Sequence, residues 1–427
     1  MARLSTGASP ANRRFQDLLG AMGLYLKLRP PFPNESHTGK ASVDVTETHA
    51  LGSFDALRDE WDTLLSGCST ATIFQTWEWN DSWWRTLGSD KKLLILQARE
   101  RGRLVGLAPL LKTRLLGVQR AIQFIGNGTT DYMDVVVADE RKHEICDALL
   151  NHLLRTQDFD LIDLGELQPL SPLRAEAPRF AGLSRDVTTF RKGAREFCFG
   201  MNLPPSWDEF GSQIGRKMTR TLCYKRRLLE RSFDQVEIRL ANSAELQEVL
   251  TALFDLHQKR WRLRGERGVL GNRKVQEFYR LVTERFTGRG WTRLHFIKLN
   301  GRYAGVACCF QFRGRYYGYL SGFDPELSRY GLGSLLIEEA VRQAIKEGCT
   351  YFDMLRGEES YKRQWGCESS LNQNLLFVSS GGLRPGLISG IRILERNLVA
   401  TKARLRKAVE KARGFAYDKL ERQSLDA

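Results

Sequence analysis

Between Tyr316 and Gly366 the sequence runs through a strand, a glycine turn, a helix and a second strand without a break, and that order leaves few folds open. Tyr316 to Phe323 alternates with the period of a strand, and Pro325 ends it. Arg329-Tyr330-Gly331-Leu332-Gly333 is a short glycine turn. Leu335, Leu336, Glu339, Ala340, Val341 and Ala344 then recur at helical spacing on one face, and Gly348 stops the helix. Tyr351 to Leu355 is the second strand, followed by a polar cluster of Arg356, Glu358, Glu359, Tyr361 and Lys362. A glycine turn lets backbone N–H groups approach a ligand, and a helix start adds unpaired N–H groups and a partial positive charge. Together they suit a pyrophosphate, although a plain turn satisfies the same residues.

The stretch resembles the Gcn5-related N-acetyltransferase (GNAT) superfamily, whose CoA motif is [Arg/Gln]-x-x-Gly-x-[Gly/Ala] between a strand and a helix. Gly331-Leu332-Gly333 matches its second half. Ser328 stands where Arg or Gln is usual, with Arg329 one place off. The ending, Phe352-Asp353-Met354-Leu355-Arg356-Gly357-Glu358-Glu359-Ser360-Tyr361-Lys362, resembles the signature of the CelD-type acyltransferases found with bacterial cellulose and exopolysaccharide genes. That group is a tandem-GNAT relative of the Fem peptidoglycan aminoacyltransferases. The resemblance covers roughly residues 50 to 380. It implies an α/β fold with a mixed α+β sheet, built as two GNAT-like lobes. It also implies acetyl-CoA or another acyl-CoA as co-substrate, with no metal, held by Ser328, Arg329, Tyr330, Gly331, Leu332, Gly333 and Ser334.

Composition is that of a soluble globular protein, and cysteine usage that of a reduced compartment. The net charge of +15 favours phosphates, anionic lipid or nucleic acid as partners. Cys68, Cys146, Cys198, Cys223, Cys308, Cys309, Cys349 and Cys367 form no CxxC pair and mostly sit in apolar runs, as small core residues do. Six scattered histidines do not suggest zinc. No apolar run reaches the ~18 residues of a membrane helix.

Residues 1–44 read as a weakly structured extension, since Arg29-Pro30-Pro31-Phe32-Pro33 cannot be helix. A first lobe over 45–190 opens with Phe54, Leu57, Trp61, Leu64 and Leu65 at helical spacing. Its segment Phe74 to Trp84 is dense in tryptophan and reads as core, with a sugar-stacking platform as the second reading. Hairpins at Leu93 to Leu111 and Leu294 to Phe312, each followed by a strand, a helix and a strand, recur at a spacing of about 190 residues, as two copies of one domain would. The first copy has Val137-Ala138-Asp139-Glu140-Arg141 before its helix, with acids where a pyrophosphate would sit. The cofactor is therefore expected in the second lobe, 191–385. The loop Gly126 to Tyr132 reads equally as a turn or as a wall of the acceptor cleft. The tail 386–427 has Leu387, Ile391, Leu394, Leu398, Leu405 and Val409 spaced for one face of a basic helix. It packs on the body or a partner, or docks on an anionic membrane surface.

Other residues complete the expected site. The run Arg216 to Arg231 is rich in Lys and Arg and resembles a basic helix of the same group, so Arg220 and Arg227 are expected to hold an anionic acceptor. His257-Gln258-Lys259-Arg260-Trp261 resembles the group's H-x-x-R-W motif. His257 is read as a base or an acceptor-binding group, and equally as a core histidine, with Arg260 and Trp261 on the acceptor. Asp353 ends a strand beside the cleft and is read as a base or as a cap on the next turn. Tyr361 takes the place of the superfamily's tyrosine acid. Lys362 resembles the lysine of the Fem family that contacts phosphate of a nucleotide-linked acceptor, and Arg356 and Glu358 either complete that pocket or pair with each other.

The expectation is an acyl-CoA-dependent N- or O-acyltransferase in cellulose, exopolysaccharide or envelope assembly, acting in the cytoplasm or at the inner face of the membrane. Its acceptor is a small molecule or saccharide-linked, and its tail contacts a membrane or a polysaccharide synthase. Two rivals stand beside it: a Fem-type aminoacyl-tRNA-dependent ligase, for which tRNA is the one nucleic-acid partner expected, and a non-catalytic scaffold of a polysaccharide synthase.

Overall fold

The structure, a computed structural model, describes residues 42–115, 119–176, 187–263, 265 and 268–379. The expected extension, up to residue 41, and the expected basic tail lie outside the described residues. Strands are β1 (Asp44–Thr48), β2 (Lys92–Glu100), β3 (Arg103–Leu115), β4 (Gln119–Phe124), β5 (Val136–Val137), β6 (Leu161–Leu167), β7 (Val187–Asn202), β8 (Val236–Leu240), β9 (Thr292–Leu299), β10 (Arg302–Phe312), β11 (Arg315–Phe323), β12 (Tyr351–Arg356) and β13 (Glu368–Ser379). Helices are α1 (Leu51–Ala56), α2 (Arg58–Ser66), α3 (Trp77–Leu87), α4 (Lys142–Thr156), α5 (Pro172–Glu176), α6 (Trp207–Ser232), α7 (Leu246–Arg262), α8 (Arg273–Gly288), α9 (Leu332–Lys346) and α10 (Ser360–Gln364). Among the described residues no helix is long and apolar enough to cross a membrane.

One mixed sheet runs through the chain in the order β1-β2-β3-β4-β6-β13-β7-β12-β11-β10-β9-β8, with β5 on β3. Each half begins as an antiparallel meander. Asn300 and Gly301, both at positive φ, make the tight turn that joins β9 to β10. Each half then makes one parallel step across a helix, β4 to β6 through α4 and β11 to β12 through α9. The last strands are exchanged. β7 follows the first half in sequence and spans position 190, yet it pairs with β12. β13 follows the second half and pairs with β6. The two exchanged strands also pair with each other, antiparallel, from Glu368–Gly200 to Ser379–Val187.

The tryptophan-rich segment is core. Trp61 and Trp79 are fully buried. Trp79 meets Phe278 and Phe310 edge-on at 5.0 and 6.3 Å, so it joins the two halves. Beside it, α3 packs on α8 through two buried carboxylates. Glu78 is met by Arg58 and Arg289 at 3.2 and 3.1 Å, and Asp81 by Arg85 and Arg285. The cysteines are unpaired and, Cys223 apart, buried.

Asp134, 4% exposed, is pushed up to about 7 by burial, which the Ser171 hydroxyl, the Val135 N–H and Arg174 only partly oppose. Its folded-state value thus lies above the unfolded one near 3.9. The stabilisation from holding that proton is complete below about pH 4 and is lost as pH rises to 7, on the order of 4 kcal/mol in all. Asp134→Asn is expected to flatten the fall in unfolding free energy between pH 4 and 7, measured by urea titration at each pH. An unchanged slope would show that this carboxyl titrates normally.

Candidate active site

β11 and β12 pair only at Arg315–Tyr351, Tyr316–Phe352 and Tyr317–Asp353, and from Gly318 onward they diverge. On the other side of β11, Cys308 faces Leu320 while Cys309 faces Gly318, so Tyr319 is the extra residue of a bulge. A cavity of about 420 Å³ opens where the strands part.

The start of α9 forms one wall. Gly331 stands at φ +67, in the left-handed region, where it closes the preceding turn and caps the helix. A Cβ on Gly333 would lie 3.2 Å from the Phe323 ring. Of the residues expected on the cofactor, Ser328, Gly331, Leu332, Gly333 and Ser334 line the cavity, and Arg329 and Tyr330 do not. Tyr330 is buried against Phe233, and the Arg329 guanidinium lies over the Tyr330 ring.

The end of β12 is a built turn. Asp353 projects from the face opposite Phe352 and Met354, which line the cavity. Its carboxylate accepts the Tyr132 hydroxyl at 3.0 Å and the Leu355 N–H at 2.9 Å. Burial pushes it up to about 6, opposed by the Leu355 N–H, Arg315 and Tyr132. The structure therefore corrects the base reading of Asp353: strand alternation turns it away from the cleft, and it caps the turn. Lys362 lines the cavity, but its ammonium is turned to the chain. It is 2% exposed, and its ammonium donates to the carbonyls of Leu355, Arg356 and Gly357 at 3.1, 2.8 and 3.1 Å and pairs with Glu359. Those contacts use its three donors, so no N–H is left for a phosphate. Leu355 takes a positive φ of 57, and the turn presents Arg356 to the cavity.

Arg356 does not pair with Glu358, which is exposed and outside the cavity. It donates to Glu166 at 2.8 Å and lies 3.2 Å from Asp131. Burial raises both carboxyls, and Arg356 opposes the rise in each. Asp131 belongs to the loop Gly126 to Tyr132, and the Thr129 carbonyl of that loop accepts the hydroxyl of cavity-lining Tyr319 at 2.5 Å. The loop therefore backs two residues of the cleft.

α7 supplies the facing wall. A Cβ on Gly322 of β11 would stand 2.7 Å from the His257 nitrogen and 3.0 Å from the Leu253 carbonyl, so only glycine lets the helix lie this close. His257 lines the cavity and is 4% exposed. Its Nε2 lies 2.8 Å from the Trp261 indole nitrogen. An indole N–H only donates, so Nε2 accepts and the ring proton sits on Nδ1. Nδ1 has no partner among the described residues. Burial, then Arg260, lowers the ring to about 4, so it is neutral at physiological pH. The indole thus occupies the lone pair that a base would use, which corrects that reading: His257 is a hydrogen-bond donor. Trp261 fixes its tautomer. Arg260 lines the cavity, with its guanidinium 4.5 Å over the Phe323 ring. Tyr361, two-fifths open to solvent, lines the cavity. The bulk of protein around it pushes its hydroxyl up to about 12, and Glu359 adds to the push. Arg220 and Arg227 are exposed on α6 and outside the cavity.

This site coincides with a family match. The sequence from 216 to 363 matches the family described as acetyltransferase (GNAT) domain. By that domain the chain is an acyltransferase. The match begins just after Gly215, whose φ of +84 breaks α6, and ends one residue past Lys362. No curated protein matches the sequence. Among solved structures the chain is similar to FemX, at 12% identity and a TM-score of 0.57, over 81% of this chain and 100% of that one. It is also similar to a conserved protein of unknown function from Bacteroides thetaiotaomicron VPI-5482, at 11% identity and a TM-score of 0.51, over 78% of this chain and 100% of that one. These likenesses show the fold.

Among the described residues, no group of three or more His, Cys, Asp or Glu could hold a metal ion. Sequence reasoning missed three features in or beside the cavity. Tyr319 carried only its place in an aromatic strand. Asp131 and Glu166 come from the other half and meet Arg356 only in the folded chain. Lys225 lay inside the basic run but was not singled out. Its stem passes 3.3 to 3.5 Å from where a Cβ on Gly331 would be, and its ammonium donates to the Arg329 carbonyl.

Proposed function

We propose that the GNAT domain moves an acyl group from an acyl-CoA to an acceptor in bacterial cellulose, exopolysaccharide or envelope assembly. The observation that carries this reading is the cavity between diverging β11 and β12 with the Gly331–Gly333 turn in its wall. The helix start suits the pyrophosphate, and the gap between the strands suits the pantetheine arm. An acceptor nitrogen or oxygen attacks the thioester carbon, the carbon–sulfur bond breaks, and the departing thiolate takes a proton from Tyr361; the proton that the acceptor sheds as its new bond forms passes to water and restores the solvent-open Tyr361 hydroxyl. A hydroxyl held at about 12 keeps that proton at neutral pH until a thiolate forms. The acceptor, small or saccharide-linked, enters from the α7 side, past His257, Arg260 and Arg356. The two halves are read as copies of one lobe, 45–190 and 191–385, with exchanged last strands. The repeated parallel step supports this, and only the second copy carries the glycine turn. The protein works in the cytoplasm, where a basic tail would meet a membrane surface or a synthase.

Gly333→Glu tests the assignment. The added side chain presses on Phe323 and puts negative charge where the pyrophosphate sits. Calorimetry with acetyl-CoA is expected to show binding weaker by at least about tenfold, the scale of one lost charged contact. Binding equal to that of the unaltered chain sinks the cofactor site.

A further inference from the structure

The turn at Gly331 gathers positive charge that no carboxylate among the described residues answers. The start of α9 contributes its partial charge. Arg329 and Lys225 both lie at this turn, and neither has an ion pair among the described residues. The contrast on α6 is direct, since the adjacent Arg226 pairs with Glu338 at 3.2 Å. Two cations beside a helix N-terminus repel one another, and the arrangement is relieved when an anion sits among them. The cavity lined by Ser328, Gly331 and Gly333 leaves room for one.

We infer that Lys225 supplies the phosphate-binding cation of this site, in place of the Arg or Gln that the motif would have at Ser328. The inference rests on the acyl-CoA reading above. Lys225 reaches the turn from 104 residues upstream of Arg329, and its stem packs on the one face of Gly331 that a side chain would block. Its ammonium rests on a backbone carbonyl, an acceptor it exchanges for a diphosphate oxygen by rotating about its flexible stem. Gly331 therefore has two tasks, taking the left-handed backbone and leaving room for the lysine. The basic helix likewise has two faces, with Lys225 turned to the Gly331 turn and Arg220 and Arg227 turned to solvent.

Calorimetry with acetyl-CoA on the full chain tests this. Lys225→Met keeps the stem and removes the charge, and is expected to weaken binding about tenfold or more. Lys225→Arg restores most of the affinity. Lys217→Met, which removes an exposed charge from the same helix, changes it less than about twofold, as an exposed charge distant from the ligand should. Equal melting temperatures keep the comparison free of unfolding, and Lys225→Gln replaces the methionine variant if that one melts early. Unaltered binding in Lys225→Met, or an equal loss in Lys217→Met, overturns the inference and leaves the acyl-CoA reading standing. If the unaltered protein does not bind acetyl-CoA, that reading falls and this inference falls with it.

Discussion

Lys362→Met loses stability and turnover together. Methionine keeps the length of the side chain but cannot donate, so the buried Leu355 carbonyl and the part-buried Arg356 and Gly357 carbonyls lose their shared donor. Each buried acceptor left unpaired costs about 1 to 3 kcal/mol, and partial relaxation of the turn brings the expected total to about 3 kcal/mol or more. Glu359, half open to solvent, adds little. The turn then no longer holds Leu355 in its strained conformation, and Arg356 leaves the cavity. Urea unfolding and steady-state kinetics measured on the same preparation separate the two roles for this lysine. A lysine that binds acceptor phosphate would raise KM and leave stability unchanged. A lysine that holds the turn lowers kcat and the unfolding free energy, and that is the expected outcome.

His257→Ala is expected to lower kcat by about ten- to a hundredfold, the range between losing one hydrogen bond to a charged group and losing an acid or base. His257→Asn recovers most of that loss, because its amide places an N–H close to the position of Nδ1. A general base would be lost in both variants alike. The pH profile adds a second readout. With the ring lowered to about 4 by burial and Arg260, log kcat carries no His257 inflection between pH 6 and 8. A bend near neutrality that disappears in His257→Asn would return the base role. Stability follows the same linkage. The folded ring sits below its ordinary value of 6.5, so its contribution is present above that pH and is lost as pH falls towards 4.

The parts of the fold legible in the sequence were the local ones. Tyr316 to Leu355 declared its strand, turn, helix and strand because each period is set by near neighbours, and Asn300-Gly301 declared its hairpin for the same reason. Trp79 read as core because burial is the ordinary fate of tryptophan. Strand partners were not legible. β7 and β13 carry no signal that each completes the other half, since pairing depends on register across a long separation. The site divided in the same way. Gly331, Gly333 and Tyr361 lie on the cavity because the elements that carry them form it. Asp353 was misplaced because both faces of β12 are buried, so polarity along the strand did not reveal which face held the cleft. The donors of Lys362 were unreadable because they depend on the positive φ of Leu355. The tautomer of His257 depends on a ring four residues away, a spacing visible in the sequence whose consequence is not.

The strand exchange has a consequence for how the chain is made. A ribosome delivers β6, ending at Leu167, long before β13, ending at Ser379, so the edge of the first half waits through the synthesis of about 210 residues. At ~5 to 20 residues per second that wait lasts roughly 10 to 40 s. Throughout it β6 offers an open row of N–H and C=O groups, the kind of edge on which another nascent chain can template. The first half is therefore expected to expose that edge to holding factors during translation. It becomes self-sufficient only when nearly the last described residue has emerged.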